Sequence, residues 1–124
     1  MILQKVIFEE KNRNGTSVDD FYYRGLEEKL QGKKGTGVRA LAADFIRQGR
    51  ILDRFLILDE TGCKLEIYTF FKDEESFSEF MNHPVNQNAK MFWQDRDWQR
   101  TVTKTVIADF LNVRNRLGQL KSII

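Results

Sequence analysis

Few side chains in this 124-residue sequence can carry chemistry, and most of them fall between Arg54 and Arg100. The only histidine, His83, stands in "MNHPVN". An imidazole exchanges protons near neutrality, so His83 is a candidate general base. Its place before Pro84 offers a plainer alternative, a C-terminal helix cap in which the ring bonds the last carbonyls. Cys63 is the only cysteine, and a Cys63–His83 dyad suggests itself. Geometry argues against it. A helix after Phe71 falls back by about 1.5 Å per residue, while the strand before it covers about 3.3 Å per residue, which leaves the pair about 13 Å apart. Tyr68 and Arg54 are polar groups in apolar runs. Each can face a ligand cavity, or Tyr68 can satisfy its hydroxyl at the edge of a core. In "MFWQDRDWQR", Trp93 and Trp98 lie beside Arg96 and Arg100. Aromatics interleaved with arginines can wall a pocket for a flat ligand, stack bases, or simply close one end of a core.

Other chemistries find little support. "GKKGTG" before an apolar run could hold a phosphate on free N–H groups, but it lacks the Gly-Lys-Ser/Thr ending of a P-loop and reads better as a linker. No His, Cys and carboxylate set has the spacing of metal ligands, so neither metal nor cofactor is expected. The net charge of +2, with acids and bases interspersed, gives no electrostatic case for DNA or an anionic membrane. No apolar run is long enough to span a bilayer, and Gln4, Lys5 and Glu9 interrupt the start of the chain where a signal peptide would be continuous. One cysteine cannot form an internal disulfide, which makes the cytoplasm the expected compartment.

The elements that must position these residues emerge from periodicity. With 41% hydrophobic residues over 124 positions, a single domain with a real core is expected. "MILQKVIFEE" alternates with apolar residues on both faces and predicts a strand. "NRNGTS" is a turn cluster, after which residues 18 to 31 read as a helix, a second hairpin strand being the alternative. In "VRALAADFIRQ", Val38, Leu41, Ala42, Phe45 and Ile46 keep helical spacing, and Gly49 closes the helix. "RILDRFLILD" and "CKLEIYTFF" flank "ETG" as a hairpin, with Ile51, Phe55 and Ile57 expected on one face and Leu52, Leu56 and Leu58 on the other. Acids at 73 to 75 open a helix that buries Phe77, Phe80 and Met81. Pro84 breaks it and suits the first turn of a second piece carrying Val85, Ala89 and Phe92. "QRTVTKTVIADF" makes the last strand, and the tail from Leu111 could be helical, with Val113, Leu117 and Leu120 in phase.

This order is strand, helix, strand, strand, helix, strand. It predicts an α+β, ferredoxin-like four-stranded antiparallel sheet with helices on one face. The segment from Gly49 to Ala108 resembles the antibiotic-biosynthesis-monooxygenase-like family of small dimeric α/β-barrel proteins. The residues that carry the resemblance are Gly49, the hairpin "ILDRFLILDETGCKLEIYTFF", the acidic helix start "KDEESFSEFM" and the break "NHPVNQNAKMF". The resemblance implies two sheets packed face to face in a homodimer, and a small apolar or aromatic ligand held between sheet and helices. It also implies, for some members, oxidation without metal or flavin. Where the family often has Glu and Trp at the end of the third strand, this sequence has Thr69 and Phe71; where a histidine often comes after the proline, it has Asn86.

The combined expectation is a small-molecule enzyme or ligand-binding protein, with a non-catalytic dimeric module and an RNA-binding domain as alternatives. His83 and Tyr68 are the candidate catalytic groups, and Asn86, Trp93, Trp98 and Arg54 the candidate ligand contacts. All but Arg54 are expected around one pocket between the sheet and the broken helix. RNA is disfavoured by the balanced charge and by the missing glycine of the third-strand motif.

Overall fold

The computed structural model describes residues 1–10, 37–58, 64–87 and 98–118. The expected helix over residues 18 to 31, the glycine-rich linker up to Thr36, the hairpin turn with Cys63, the helical piece with Ala89 and Phe92, Trp93 and Leu120 lie outside them. The described elements are β1 (Ile2–Glu10), α1 (Val38–Arg47), β2 (Ile51–Leu58), β3 (Lys64–Phe71), α2 (Glu74–Asn82), β4 (Trp98–Val106) and α3 (Phe110–Gly118). The strands form one antiparallel sheet in the order β2-β3-β1-β4, the ferredoxin-like arrangement expected.

Local chemistry sets the element ends. Gly49 adopts φ 71° after α1, and the N–H groups of Gly49 and Arg50 donate to the carbonyls of Ile46 and Phe45 at 3.0 and 2.9 Å. This is the Schellman closure, and its positive φ is a backbone region that glycine enters without the strain other residues meet. Asp73 caps α2 by accepting from the Ser76 N–H at 2.8 Å. That backbone bond holds the Asp73 carboxyl below its usual range, so the cap is fully present above the carboxylate's ordinary pKa and is lost as pH falls below it. At the far end of the chain Asp109 accepts from the Asn112 N–H at 3.1 Å. The last strand therefore stops at Val106 rather than running on to Phe110, because Asp109 starts a helix.

The apolar residues sort onto two sides of the sheet. On one side Ile2, Ile51 and Phe71 pack with Leu41, Ala42 and Phe45 of α1 and Phe80 of α2. On the other, Phe55, Tyr68, Phe70 and Ile107 form a second cluster against Phe110, Val113 and Leu117 of α3. The two crossover helices thus share one face, as expected. The tail helix takes the opposite face, so the apolar surface expected to be open there is partly covered. β2 also departs from simple alternation. Ile51 pairs with Phe71 and Asp53 with Phe70, which leaves Leu52 as an extra residue in a β-bulge. Past the bulge the faces exchange: Ile51 joins the α1/α2 side, whereas Phe55 lies in the α3-side cluster and Ile57 packs against it.

Candidate functional site

Opposed residues on neighbouring strands share a face, so the registers fix which side chains line the surface beneath α2. Arg54 pairs with Thr69, Thr69 with Gln4, and Gln4 with Lys104. The result is a polar row running across an otherwise apolar face. On one side it is bordered by Ile51, Phe71, Ile2 and Val106, on the other by Leu56, Ile67, Val6 and Val102. Gln4 and Thr69 are buried. The Gln4 Nε2 donates to Met81 Sδ at 2.8 Å, which ties the row to the last turn of α2. A thioether is a weak acceptor, so this bond repays little of the amide's desolvation.

The break after α2 is built from side chains. Asn86 Nδ2 and Gln87 Nε2 both donate to the Met81 carbonyl, at 3.3 and 2.7 Å, satisfying a helix end that the chain itself abandons. His83 leaves the helix with φ −63° and ψ 137°. Its Nδ1 accepts from the Val85 N–H at 3.2 Å, and the Gln87 N–H donates to its carbonyl at 3.0 Å. Pro84 then occupies the first position of the short turn over residues 84 to 87. His83 is thus the C-cap residue of α2, as expected, its backbone N–H donating to the Phe80 carbonyl at 3.3 Å, while its ring caps the following turn instead of bonding the last carbonyls of α2. With Nδ1 used as an acceptor, the neutral His83 ring carries its proton on Nε2.

Tyr68 lies elsewhere. It belongs to the α3-side cluster, stacked on Phe55 with ring centroids 5.1 Å apart, while His83 ends a helix on the other face. The expected pocket shared by His83 and Tyr68 is not formed, because the sheet stands between them. Around Tyr68, the Lys5 Nζ sits 5.5 Å from the ring centroid and 3.4 Å from Glu66 Oε1. Burial raises the Tyr68 pKa, with the Glu66 charge adding to it. Burial pulls Lys5 down, but Tyr68 and Glu66 outweigh it and leave the ammonium raised. Tyr68 is thus held as a neutral phenol and Lys5 as a cation, and neither is poised as a base near neutrality.

Of the expected site residues, the structure brings Arg54 and Asn86 to the helix-covered face. Trp93 and the Trp98 side chain lie outside what it describes. Gln4, Thr69 and Met81 are missed by sequence reasoning. Their signal is visible in part: at two-residue spacing Gln4 stands between Ile2 and Val6, and Thr69 between Ile67 and Phe71. Among the described residues, no three His, Cys, Asp or Glu side chains come together as a metal would require. Also among them, no helix is long and apolar enough to cross a membrane.

No protein-family model and no curated protein matches the sequence. Solved structures do match. A candidate antibiotic biosynthesis monooxygenase from Deinococcus radiodurans superposes with a TM-score of 0.62 at 9% identity, over 88% of this chain and 94% of that one. The Mycobacterium tuberculosis protein Rv0793 gives 0.57 at 11% identity, over 88% and 97%. A further antibiotic biosynthesis monooxygenase gives 0.52 at 12%, over 86% and 99%. The likeness is one of fold. It extends the resemblance read from residues 49 to 108 to most of the chain, and at these identities it carries no residue's role with it.

Proposed function

We propose that the protein binds a small apolar or aromatic molecule between the sheet and the broken α2, and acts on it as an enzyme of the cofactor-independent monooxygenase type. The observation that carries this reading is the polar row Arg54–Thr69–Gln4, set in an apolar face under Met81 and Asn86. Small-molecule sites combine apolar walls with a few placed polar groups, and this arrangement has both. The reaction type is taken from two of the fold neighbours, which are antibiotic biosynthesis monooxygenases or candidates for that activity. Titrating the neutral aromatic 2-naphthamide into 15N-labelled protein tests the reading. Saturable shifts at Gln4, Thr69, Met81 and Asn86 are expected; shifts scattered over the surface, or none, would remove it.

A homodimer belongs to the same proposal. On the α3 side Leu3 and Ile57 stay half-buried beside the cluster, Ile7 is half-buried, and Thr101, Thr103 and Thr105 of β4 are exposed. A second sheet packed there would cover this surface by two-fold symmetry. Light scattering at micromolar concentration should give twice the 14.6 kDa chain mass. A mass of 14.6 kDa under those conditions would leave the dimer without support. The cytoplasm remains the proposed compartment. An RNA reading would need the sheet aromatics open for stacking, whereas Phe55, Tyr68 and Phe70 are buried.

A further inference from the structure

Arg100 is the cation that the polar row does not use. It pairs with Phe8 across β1–β4, and four residues along the same strand Lys104 contacts Glu74 and the Phe77 ring of α2. Arg100 and Lys104 share strand parity, so Arg100 stands on the same helix-covered face. From the level of the polar row it is displaced by about 13 Å along the strands, at ~3.3 Å per residue. The surface between is apolar, formed by Val6 and Phe8 on β1 and Ile67 and Leu65 on β3.

The state of its guanidinium is unusual. Lys5, Lys64, Lys72, Lys104, Arg47, Arg50 and Arg114 each sit within 4.0 Å of a carboxylate. Arg100, half-buried, has no hydrogen bond, ion pair or ring contact from its side chain among the described residues. Burial lowers its pKa, with no anion among the described residues acting against that, and an arginine keeps its charge near neutrality. Taking a cation out of water without a counter-charge is costly, and a bound anion offsets that cost. An exposed apolar side chain lies next to it. Val102, two residues on and on the same face, is 37% exposed although large and apolar.

We infer that Arg100 and Val102 form the head-group end of the ligand site, and that the ligand carries a carboxylate on its apolar or aromatic body. The planar guanidinium grips the carboxylate through two parallel N–H bonds, and Val102 supports the first atoms of the body. The inference rests on the binding reading proposed above and narrows its ligand to an aromatic or apolar acid. A fixed cation at one end also sets the direction in which such a ligand enters, leaving the opposite end toward the polar row.

The test compares 2-naphthoate with the neutral, equally shaped 2-naphthamide, on wild-type protein and on Arg100→Gln and Arg100→Lys. Binding is tracked by 15N chemical shifts, which also report that each variant is folded. The wild type is expected to prefer naphthoate by at least tenfold. Arg100→Gln should weaken naphthoate far more than naphthamide and so abolish that preference, and Arg100→Lys should restore part of it, since lysine keeps the charge without the planar fork. Equal affinity for both probes, untouched by Arg100→Gln, would overturn the acid-binding inference while leaving the binding reading standing. That is the result expected of a guanidinium with no role in binding. If neither probe binds, the binding reading falls and this inference falls with it.

Discussion

Replacing Gln4 by methionine and Thr69 by valine together is expected to leave the protein at least as stable as wild type while weakening 2-naphthamide binding by about tenfold to a hundredfold. Both side chains are buried in an apolar face, and both replacements keep their volume. If they served only the fold, their removal would cost stability. The one bond shown for the Gln4 side chain runs to a thioether, so little stability is lost with it. Exchanging a buried polar group for an apolar one of similar shape is then neutral or stabilising. The lost affinity reflects about one hydrogen bond per residue, each worth roughly 0.5–1.5 kcal/mol. Urea denaturation beside the titration separates the outcomes. A large drop in stability with unchanged affinity would show that the polar row is structural.

The largest loss of stability is expected from Phe71→Ala, about 3–5 kcal/mol. Phe71 is fully buried at the end of β3. Its ring meets Phe77 edge-on at 5.5 Å and Phe80 at 5.3 Å, and it belongs to the cluster that joins both crossover helices to the sheet. Truncation leaves a cavity lined by rigid aromatics and strand backbone that cannot collapse to fill it. A domain stable by roughly 5–15 kcal/mol would lose a large part of that margin. Phe71→Leu, which refills most of the space, should cost about 1–2 kcal/mol. The denaturation midpoints of the two variants check the ranking, and a Phe71→Ala protein as stable as Phe71→Leu would contradict it.

The elements of the fold can be read from the sequence because their signals are local. Gly49 closes α1, Asp73 opens α2, and Pro84 keeps α2 from continuing, each by chemistry confined to a turn. Sidedness is harder. β3 is buried on both faces, so two-residue alternation separates Tyr68 and Phe70 from Thr69 and Phe71 without saying which pair meets the helices. That is why the sequence alone groups Tyr68 with His83. The cap at Asp109 is hidden for a related reason: "TVIADF" is β-branched up to its last residues, and the helix start shows only once the strand has ended. The polar row is a cross-strand object. It exists only in the pairing register, which joins residues 4, 54 and 69 from distant parts of the chain.

The bulge at Leu52 has a meaning that the side chain alone does not convey. Leu52 is 42% exposed, so what it packs against matters little. What matters is that one peptide unit is counted there and not paired. It acts as punctuation in the strand, resetting which residues belong to which side. Before it, the odd-numbered residue Ile51 faces α1 and the crossover; after it, the odd-numbered Phe55 and Ile57 face the α3 cluster. A substitution at this place alters a letter, whereas a deletion alters the reading frame of the sheet, turning Ile51 away from the core it fills. The position is therefore constrained in chain length rather than in residue type.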